Sequence, residues 1–270
     1  MDAAPPLQAL TRAQGTLIRR LVREKKTRTR EGAFILEGAK SCLDLIARQP
    51  GAILSLTLSS GYLQSEGAAD RRLRSRLGAR QFSCPETVFD KLSDVENPQG
   101  VLAVVRQPQW DEAQVFGQAR VLGIYTDQVQ DPANVGTIIR TAAALNLTGV
   151  WLSPDSADCF NPKVVRATAG AILSLPIFRT ADIRTFSRHK CSIYSTLLPS
   201  PETVPLRSIR KIPRRLVIAV GNEGKGLSSE VVKLSEVRFS IPLSREIESL
   251  NVAATVAISA FYFSGLPAES

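Results

Sequence analysis

Histidine is almost absent from this chain of 270 residues, whose single histidine, His189, lies in a basic stretch that we expect to be exposed. Catalysis by a histidine base and metal centres built from histidine ligands are therefore disfavoured, and no metal site is predicted. The cysteines form no C-x-x-C pair, so zinc ligation and a redox dithiol both lack their usual spacing. The sequence favours reduced, buried thiols at Cys42, Cys84, Cys159 and Cys191.

Long apolar runs are also missing. No segment approaches the roughly 18 consecutive apolar residues of a membrane span. Residues 1–14 lack the charged-then-apolar order of a secretory signal, and Asp2 breaks the acid-free composition of a transit peptide. With 44% hydrophobic residues, the chain can form one large or two modest globular domains, and we expect it to reside in the cytoplasm.

Positive charge exceeds negative charge, with 34 Lys and Arg against 25 Asp and Glu and a formal net charge of +9. The excess is greatest in residues 12–30, where Glu24 is the only acid, and a second arginine-rich run spans residues 71–80. Such clusters favour contact with a nucleic-acid backbone, although a solvated helix face or a solubilising tail has the same composition. Charge alone does not distinguish RNA from DNA. The candidate contacts are Arg19, Arg20, Arg23, Lys25, Lys26, Arg28 and Arg30.

A polar, proline-containing stretch divides the chain into two parts. We place an interdomain linker at 107–117, after a basic N-terminal arm at 1–30 and a small α/β domain at 31–106. The small domain is predicted to contain strands at 34–36, 53–58 and 100–105 and helices at 39–47, 70–77 and 85–92. In residues 118–270, strand-like runs alternate with helical patterns, which favours an α/β domain with a parallel sheet. Those runs are 121–125, 149–152, 192–196, 216–220 and 237–241.

Residues 127–153 place an Asn-x-Gly-x-x-x-Arg cluster where a loop enters a predicted helix. Apolar residues recur every three or four positions over 135–145, as on one face of a helix. The pattern makes Asn134 the expected N-cap and places Arg140 early on the helix. An ordinary capped helix with a solvated arginine has the same short pattern, so the cluster alone does not establish a site.

Two further loops follow apolar strands, and ligands bind beyond the carboxyl ends of the strands in open parallel sheets. Residues 221–227 contain three glycines, which permit close approach of backbone N–H groups to a ligand, although a tight turn has a similar composition. The glycine spacing matches neither a phosphate-binding nor a dinucleotide-binding loop. Residues 241–251 lead into an apolar helix predicted at 252–263.

In this order, the three loops resemble the three sequence motifs of the SpoU/TrmH class of SPOUT RNA ribose 2′-O-methyltransferases. The resemblance covers residues 121–263 and depends on N-x-G-x-x-x-R, on G-N-E-G-x-G-L after an apolar strand, and on I-P-L followed by S-L-N-V-A. The N-terminal half is similar, more loosely, to the ribosomal-protein-like substrate-binding domain of rRNA-modifying members, through residues 34–38 and 97–101.

The resemblance implies a C-terminal SPOUT domain with a deep trefoil knot, bound S-adenosylmethionine and a homodimer. It implies a polar catalytic rim formed by Asn134, Arg140, Glu223, Ser249 and Asn251. It implies cofactor contacts at Thr196, Leu197, Gly221, Asn222, Gly224, Ile241, Leu243, Leu250 and Ala253. Arg166 is a further candidate for RNA contact, with a surface salt bridge as the alternative.

The implied reaction transfers a methyl group to a ribose 2′-hydroxyl, which needs in-line alignment and removal of a weakly acidic proton. Arg140 is the candidate for this step, and a protonated guanidinium stabilises a developing alkoxide more readily than it accepts a proton. The sequence therefore predicts an RNA 2′-O-methyltransferase that acts on large-subunit rRNA. The alternatives are the same chemistry on tRNA, and a non-catalytic RNA-binding or ribosome-assembly factor.

Overall fold

The computed structural model describes residues 7–179, 181–244 and 248–269, which form two compact units. Unit 1 contains the chain up to Pro108 together with Phe160–Gly170. Unit 2 contains Gln109–Cys159 together with the chain from Ala171 onward. The first crossing between the units, after Pro108, lies inside the segment 107–117 that the sequence assigns to a linker.

Strands and helices alternate along much of the described chain. The strands are β1 (Gln8–Ala9), β2 (Ala33–Glu37), β3 (Ile53–Ser59), β4 (Gln81–Cys84), β5 (Val101–Arg106), β6 (Val121–Thr126), β7 (Gly149–Leu152), β8 (Ile177–Phe178), β9 (Ser192–Thr196), β10 (Val204–Pro205), β11 (Arg215–Val220) and β12 (Val237–Ser240). The helices are α1 (Arg12–Arg23), α2 (Lys25–Glu31), α3 (Ala39–Arg48), α4 (Ser60–Ser65), α5 (Ala68–Arg74), α6 (Glu86–Phe89), α7 (Glu112–Phe116), α8 (Pro132–Ala144), α9 (Pro162–Ala167), α10 (Arg184–Arg188), α11 (Ser229–Leu234) and α12 (Val252–Ser264). Across the described ranges, each helix is too short or too polar to span a membrane.

Unit 1 is built on a mixed five-stranded sheet with the order β1-β4-β3-β5-β2. β5 runs antiparallel to both β2 and β3, and β4 runs parallel to β3 and β1. The two segments that resemble the ribosomal-protein-like domain meet at this sheet. Gly38 donates its N–H to the carbonyl of Val101 at 3.0 Å, and Gln99 Oε1 accepts the N–H of Ala39 at 3.0 Å. Gly38 has a φ of +111°, a conformation that residues with side chains rarely adopt.

The segment Phe160–Gly170, which the sequence assigns to the C-terminal domain, belongs to unit 1 instead. The ring of Phe160 lies 5.0 Å from that of Phe34 in β2, between centroids, and α9 packs against β2. The division into compact units therefore differs from the predicted continuous domain at 118–270 over this segment. Its apolar residues have the same local pattern whichever core they join, so sequence order alone does not show that they pack against β2.

The basic segment predicted as an arm folds as α1 and α2. Thr11 and Gln14 form a capping box at the start of α1, and Ile18 and Leu21 are buried in the core of unit 1. The prediction of a separate arm at 1–30 is therefore wrong over its described part. The two apolar residues are about one helical turn apart and anchor a helix that is otherwise rich in cations.

The arginine-rich run at 71–80 is largely structural. Arg74 is buried and binds both carboxylate oxygens of Glu66, at 2.5 and 3.0 Å, and Arg71 contacts the same carboxylate at 3.4 Å. Arg80 donates to the backbone carbonyls of Pro50 and Ile53. Arg74 and Arg80 therefore do not contribute to the free cationic surface that the composition of this run suggests.

Unit 2 is built on a seven-stranded sheet with the order β10-β12-β9-β11-β6-β7-β8, in which all the described strand pairs are parallel. The predicted α/β class with a parallel sheet, preceded by a smaller α/β domain, is confirmed. Parallel pairing places the carboxyl ends of β6, β11 and β12 at one edge of the sheet, which we call the carboxyl edge. Helix α12 packs against α8 and β11 behind this edge.

Helix α8 begins at Pro132, and Asp131 is its N-cap, with Asp131 Oδ1 accepting the N–H of Ala133 at 3.0 Å. The prediction that Asn134 caps this helix is wrong. Aspartate at the cap followed by proline in the first turn is a stronger start signal than an asparagine further along. Asn134 consequently lies in the first turn, buried, with its side chain free for tertiary contacts.

His189 and the cysteines have structural environments. His189 is partly buried rather than exposed, and its ring stacks on Phe116 with centroids 4.2 Å apart and planes 8° apart. The four cysteines are buried, as predicted. Burial raises the pKa of Cys84 to about 11 and the pKa of Cys191 to about 12, so these thiols remain protonated at neutral pH.

Candidate active site

Three side chains from the three loops form one hydrogen-bonded network at the carboxyl edge. Asn134 donates from Nδ2 to Glu223 Oε1 at 2.8 Å, and Asn251 donates from Nδ2 to Asn134 Oδ1 at 2.9 Å. Asn134 is 89 residues from Glu223 and 117 residues from Asn251 along the chain. The fold therefore joins one residue from each of the loops that the sequence identified.

Helix α12 determines the direction of this network. Asn251 is its N-cap, and Asn251 Oδ1 accepts the N–H groups of Ala253 and Ala254 at 2.8 and 3.3 Å. The Asn251 amide must therefore present its NH₂ group to Asn134, whose own NH₂ group is left for the carboxylate of Glu223. Glu223 is exposed, and its Oε2 has no hydrogen-bond partner among the described residues. This oxygen is available to a ligand hydroxyl.

The glycine-rich loop between β11 and α11 is closed on itself. Asn222 and Gly226 exchange two backbone hydrogen bonds of 3.0 and 2.9 Å. Asn222 Oδ1 accepts the N–H groups of Gly224 and Lys225, and Asn222 Nδ2 donates to the carbonyl of Gln128 at 2.9 Å. Asn222 and Gly224 are both predicted to contact a cofactor, but the side chain of Asn222 and the N–H of Gly224 are already used to hold the loop.

Gly221 is the point of closest approach in this loop. A Cβ atom at this position would overlap the backbone of Gly226 and would lie 2.5 Å from the backbone nitrogen of Leu227. The buried Asp127 fastens the far end of the loop, because its Oδ2 accepts the N–H of Ser228 at 2.7 Å. Sequence reasoning missed Asp127, although a carboxylate directly after the apolar strand β6 was a visible signal.

Backbone groups remain unpaired where β11 and β12 end. The N–H and carbonyl groups of Gly221, Ile241 and Leu250 form no hydrogen bond to any residue in the described ranges. Leu197 is partly exposed, and its N–H donates to the carbonyl of Phe239 at the end of the neighbouring strand β12. Unpaired backbone groups beside an apolar side chain fit a ligand that has both polar and apolar parts.

The remaining predicted cofactor contacts lie near the same strand ends. Thr196 is the last residue of β9 and pairs in register with Phe239 of β12. Leu243 is partly exposed and follows β12 by three residues. Ala253 is buried in the first turn of α12, and its N–H is already bonded to Asn251. Arg245, Glu246 and Ile247, which belong to the third predicted loop, lie outside the described residues.

Arg140 and Ser249 are not part of the hydrogen-bonded network. Arg140 follows Asn134 by six residues on α8, which corresponds to about 9 Å along the helix axis. Both Arg140 and Ser249 are exposed, and neither forms a hydrogen bond or ion pair with a described residue. Their side chains are therefore unoccupied by the fold and can bind a ligand.

The cations predicted to bind RNA have unequal environments in unit 1. Arg28 is buried and donates to the carbonyls of Leu21 and Val22 at 2.7 and 3.1 Å, so the prediction is wrong for Arg28. Arg166 forms the salt bridge that was the alternative, binding both carboxylate oxygens of Asp94 at 2.6 and 3.2 Å. Arg19 is partly buried, and the exposed cations are Arg20, Arg23, Lys25, Lys26 and Arg30.

Comparison with known families gives the geometry a context. Residues 122–261 match the SpoU rRNA Methylase family, and residues 17–103 match the MRM3-like substrate binding domain. The chain belongs to the SpoU rRNA methylase family. The matched range includes Asn134, Glu223 and Asn251, so the network lies within the SpoU domain.

Similar proteins span nearly the whole chain. The Bacillus subtilis protein named 23S rRNA (guanosine(2553)-2′-O)-methyltransferase RlmP is 29% identical, over 89% of this chain and 92% of that protein. The 23S rRNA (uridine(2479)-2′-O)-methyltransferase of Streptomyces viridochromogenes is 26% identical, over 90% of this chain and 85% of its own. The crystal structure of an AdoMet-bound rRNA methyltransferase from Sinorhizobium meliloti is 28% identical, with a TM-score of 0.79 and 95% of each chain covered.

Proposed function

We propose that this chain transfers a methyl group from S-adenosylmethionine to a ribose 2′-hydroxyl in large-subunit rRNA. The observation that carries the proposal is the network of Asn134, Glu223 and Asn251, which holds one carboxylate with a free oxygen at the carboxyl edge. The Bacillus and Streptomyces relatives, both named as 23S rRNA 2′-O-methyltransferases, support the reaction and the class of substrate.

The residues at the strand ends fit the cofactor. Bound S-adenosylmethionine would supply an electrophilic methyl group attached to a sulfonium centre. The unpaired backbone groups of Gly221, Ile241 and Leu250 would hold its polar parts, and Leu197 and Leu243 would contact its apolar surface. The AdoMet-bound relative from Sinorhizobium meliloti supports this assignment.

Glu223 and Arg140 divide the chemistry in this proposal. With the cofactor bound, Glu223 Oε2 would accept a hydrogen bond from the ribose hydroxyl and would take its proton when that oxygen is methylated. The carboxylate then releases the proton to water. The guanidinium of Arg140 stabilises the negative charge that develops on the ribose oxygen, a role that suits a permanently protonated group.

We expect Glu223→Gln to lower kcat by about a hundredfold, because the amide still accepts a hydrogen bond from Asn134 but cannot take a proton. The Kd for S-adenosylmethionine should stay within about twofold, since the backbone groups assigned to the cofactor are untouched. Initial rates of methyl transfer and calorimetry measure the two effects. Glu230→Gln is the matched control, because it replaces an exposed carboxylate on α11 by the same amide. Near wild-type turnover by Glu223→Gln would remove the proposed proton acceptor.

We propose that the exposed cations of α1 and α2, together with the partly buried Arg19, bind the phosphate backbone of the rRNA. The face of α1 carries an open groove of about 540 Å³, lined by Arg12, Ala13, Thr16, Leu17 and Arg20. Replacing Arg19, Arg20, Lys25 and Lys26 by glutamine should reduce the slope of log K against log salt by about three, at about 0.7 per lost phosphate contact. Filter binding to a 23S rRNA transcript over a range of salt concentrations measures this slope. An unchanged slope would contradict the assignment.

We propose that the chain functions as a homodimer with α12 in the interface. Ile258 and Phe261 on this helix are 42% and 72% exposed, and a monomer gains no stability from side chains left in water. Light scattering at micromolar concentration tests this, and a monomer mass would contradict it.

Family membership also supports the trefoil knot at the C-terminal end of unit 2. A crystal structure that traces residues 241–252 decides whether the chain passes through a preceding loop.

Calorimetry with S-adenosylmethionine, followed by a methyl-transfer assay on total RNA, tests the proposed function as a whole. We expect binding of the cofactor and label in the 23S rRNA fraction. Label found only in the tRNA fraction would show that the substrate is tRNA rather than rRNA. Cofactor binding without transfer to any RNA would identify a non-catalytic RNA-binding or assembly factor.

A further inference from the structure

We infer that unit 2 has a second RNA-binding surface, at the amino ends of its parallel strands and opposite the carboxyl edge. We call it the amino-edge surface and define it by Arg207, Arg210, Lys211 and Arg214, on the segment that leads from the end of β10 to the amino end of β11. The inference deepens the proposed function, because its partner is the phosphate backbone of the same rRNA, away from the target ribose.

The four cations of the amino-edge surface are exposed and have no ion-pair partner in the parts of the chain that the structure describes. Other exposed arginines do have one: Arg20 pairs with Glu24, and Arg184 pairs with Asp182. Four cations within eight residues repel one another, and a phosphate backbone relieves that repulsion. A solvated helix face would be interrupted by acids, and this segment contains none.

The backbone that carries these cations is held in place. Tyr262 on α12 donates its hydroxyl hydrogen to the carbonyl of Ile209 at 2.8 Å, and the buried Ile212 donates its N–H to the carbonyl of Pro267 at 3.1 Å. The carbonyl of Arg214 accepts the N–H of Val121 at 2.8 Å. The charged side chains therefore project from a fixed segment, which lowers the entropy lost when they bind a rigid polyanion.

Neighbouring strands extend the positive charge along the same edge. Lys190 is exposed just before β9, and Arg120, just before β6, donates to the carbonyl of Leu266 at 3.0 Å. Two acids lie nearby, Glu236 before β12 and Glu269, whose N–H bonds to Ile212. Neither acid is within ion-pair distance of the four cations, so the edge remains strongly positive.

The position of the amino-edge surface determines its role. β11 is six residues long, so its two ends are about 17 Å apart at about 3.3 Å per residue. Cations at that distance do not touch the reacting atoms, and they contact phosphates that a short RNA fragment does not present. The surface should therefore increase affinity for long, structured RNA without changing the chemical step.

The test uses the full chain with Arg207, Arg210, Lys211 and Arg214 all replaced by glutamine, and a 23S rRNA transcript as the probe. We expect the salt slope of binding to fall by about three, at 0.7–0.9 per lost phosphate contact, and the KM for the transcript to rise at least tenfold. The kcat at saturating transcript, the Kd for S-adenosylmethionine and the unfolding temperature should be unchanged, because the backbone contacts of this segment do not involve the substituted side chains.

A matched pair separates the surface from net charge. Arg210→Gln with Lys211→Gln should reduce the slope by about half as much as the quadruple variant, whereas Lys40→Gln with Arg48→Gln, on α3, should leave it unchanged. Equal reductions in salt slope from the two pairs would overturn the inference, and so would a wild-type slope in the quadruple variant. In either case, methyl transfer by the wild-type protein would leave the proposed function intact. If the wild type binds RNA through this surface but transfers no methyl group, only the proposed function fails.

Discussion

Replacing Arg140 with alanine is expected to reduce methyl transfer by about a thousandfold, the loss typical of removing a group that stabilises charge in the transition state. Arg140 is exposed on α8 and has no partner within the described ranges, so its guanidinium is free to interact with the ribose oxygen. The Kd for S-adenosylmethionine should be nearly unchanged. Single-turnover rates with saturating rRNA, together with calorimetry for the cofactor, measure both quantities.

The variant should also fold normally, because alanine is a better helix former than arginine and no internal contact is lost. Thr137→Ala is the matched control, since Thr137 is exposed one turn earlier on the same helix. Arg140→Lys distinguishes charge from geometry: it retains the charge but loses the planar fork of donors. Wild-type turnover in Arg140→Ala would show that Arg140 has no part in the reaction.

Replacing Gly221 with alanine is expected to abolish detectable cofactor binding and to lower the free energy of unfolding by about 2–3 kcal/mol, as overpacking at a rigid site does. The added Cβ would meet the backbone of Gly226 and Leu227, and backbone atoms cannot rotate away as a side chain can. The loop must open, which displaces Gly221 from the strand end. Calorimetry and denaturant unfolding measure the two effects.

Gly224→Ala is the control within the same loop. The nearest atom to a Cβ at Gly224 is Asn222 Oδ1 at 3.7 Å, an ordinary contact. We therefore expect nearly wild-type stability and cofactor affinity for this variant. If the two substitutions have equal effects, the close approach at Gly221 does not determine the shape of the loop.

Several elements of the fold were predictable because each has a local signal. Alternating apolar runs predicted the strands β6, β7, β9, β11 and β12 within a residue of their observed ends. The parallel arrangement followed from the helices between them, and it placed three loops at one edge. The three residues of the network, one from each loop, were all named through the resemblance to the SpoU/TrmH motifs, which carries each residue over by its position in a motif.

Other features depend on contacts that a linear pattern does not encode. Phe160 packs on Phe34, more than a hundred residues away, so its membership of unit 1 is a property of the folded state. Arg28 and Arg74 were indistinguishable by composition from their exposed neighbours, yet both are buried, with carbonyl or carboxylate partners. The order of donors from Asn251 to Glu223 also required the geometry, because an asparagine side chain can present either end.

The measurement that tests the central claim most directly is the chemical position of the transferred methyl group. An unmodified 23S rRNA transcript is incubated with the protein and S-adenosylmethionine carrying a deuterated methyl group, then digested to nucleosides and analysed by mass spectrometry. We predict that the label appears on the ribose of one nucleoside and that Arg140→Ala abolishes it. Label on a base, or no label from a protein that binds the cofactor, would contradict the account.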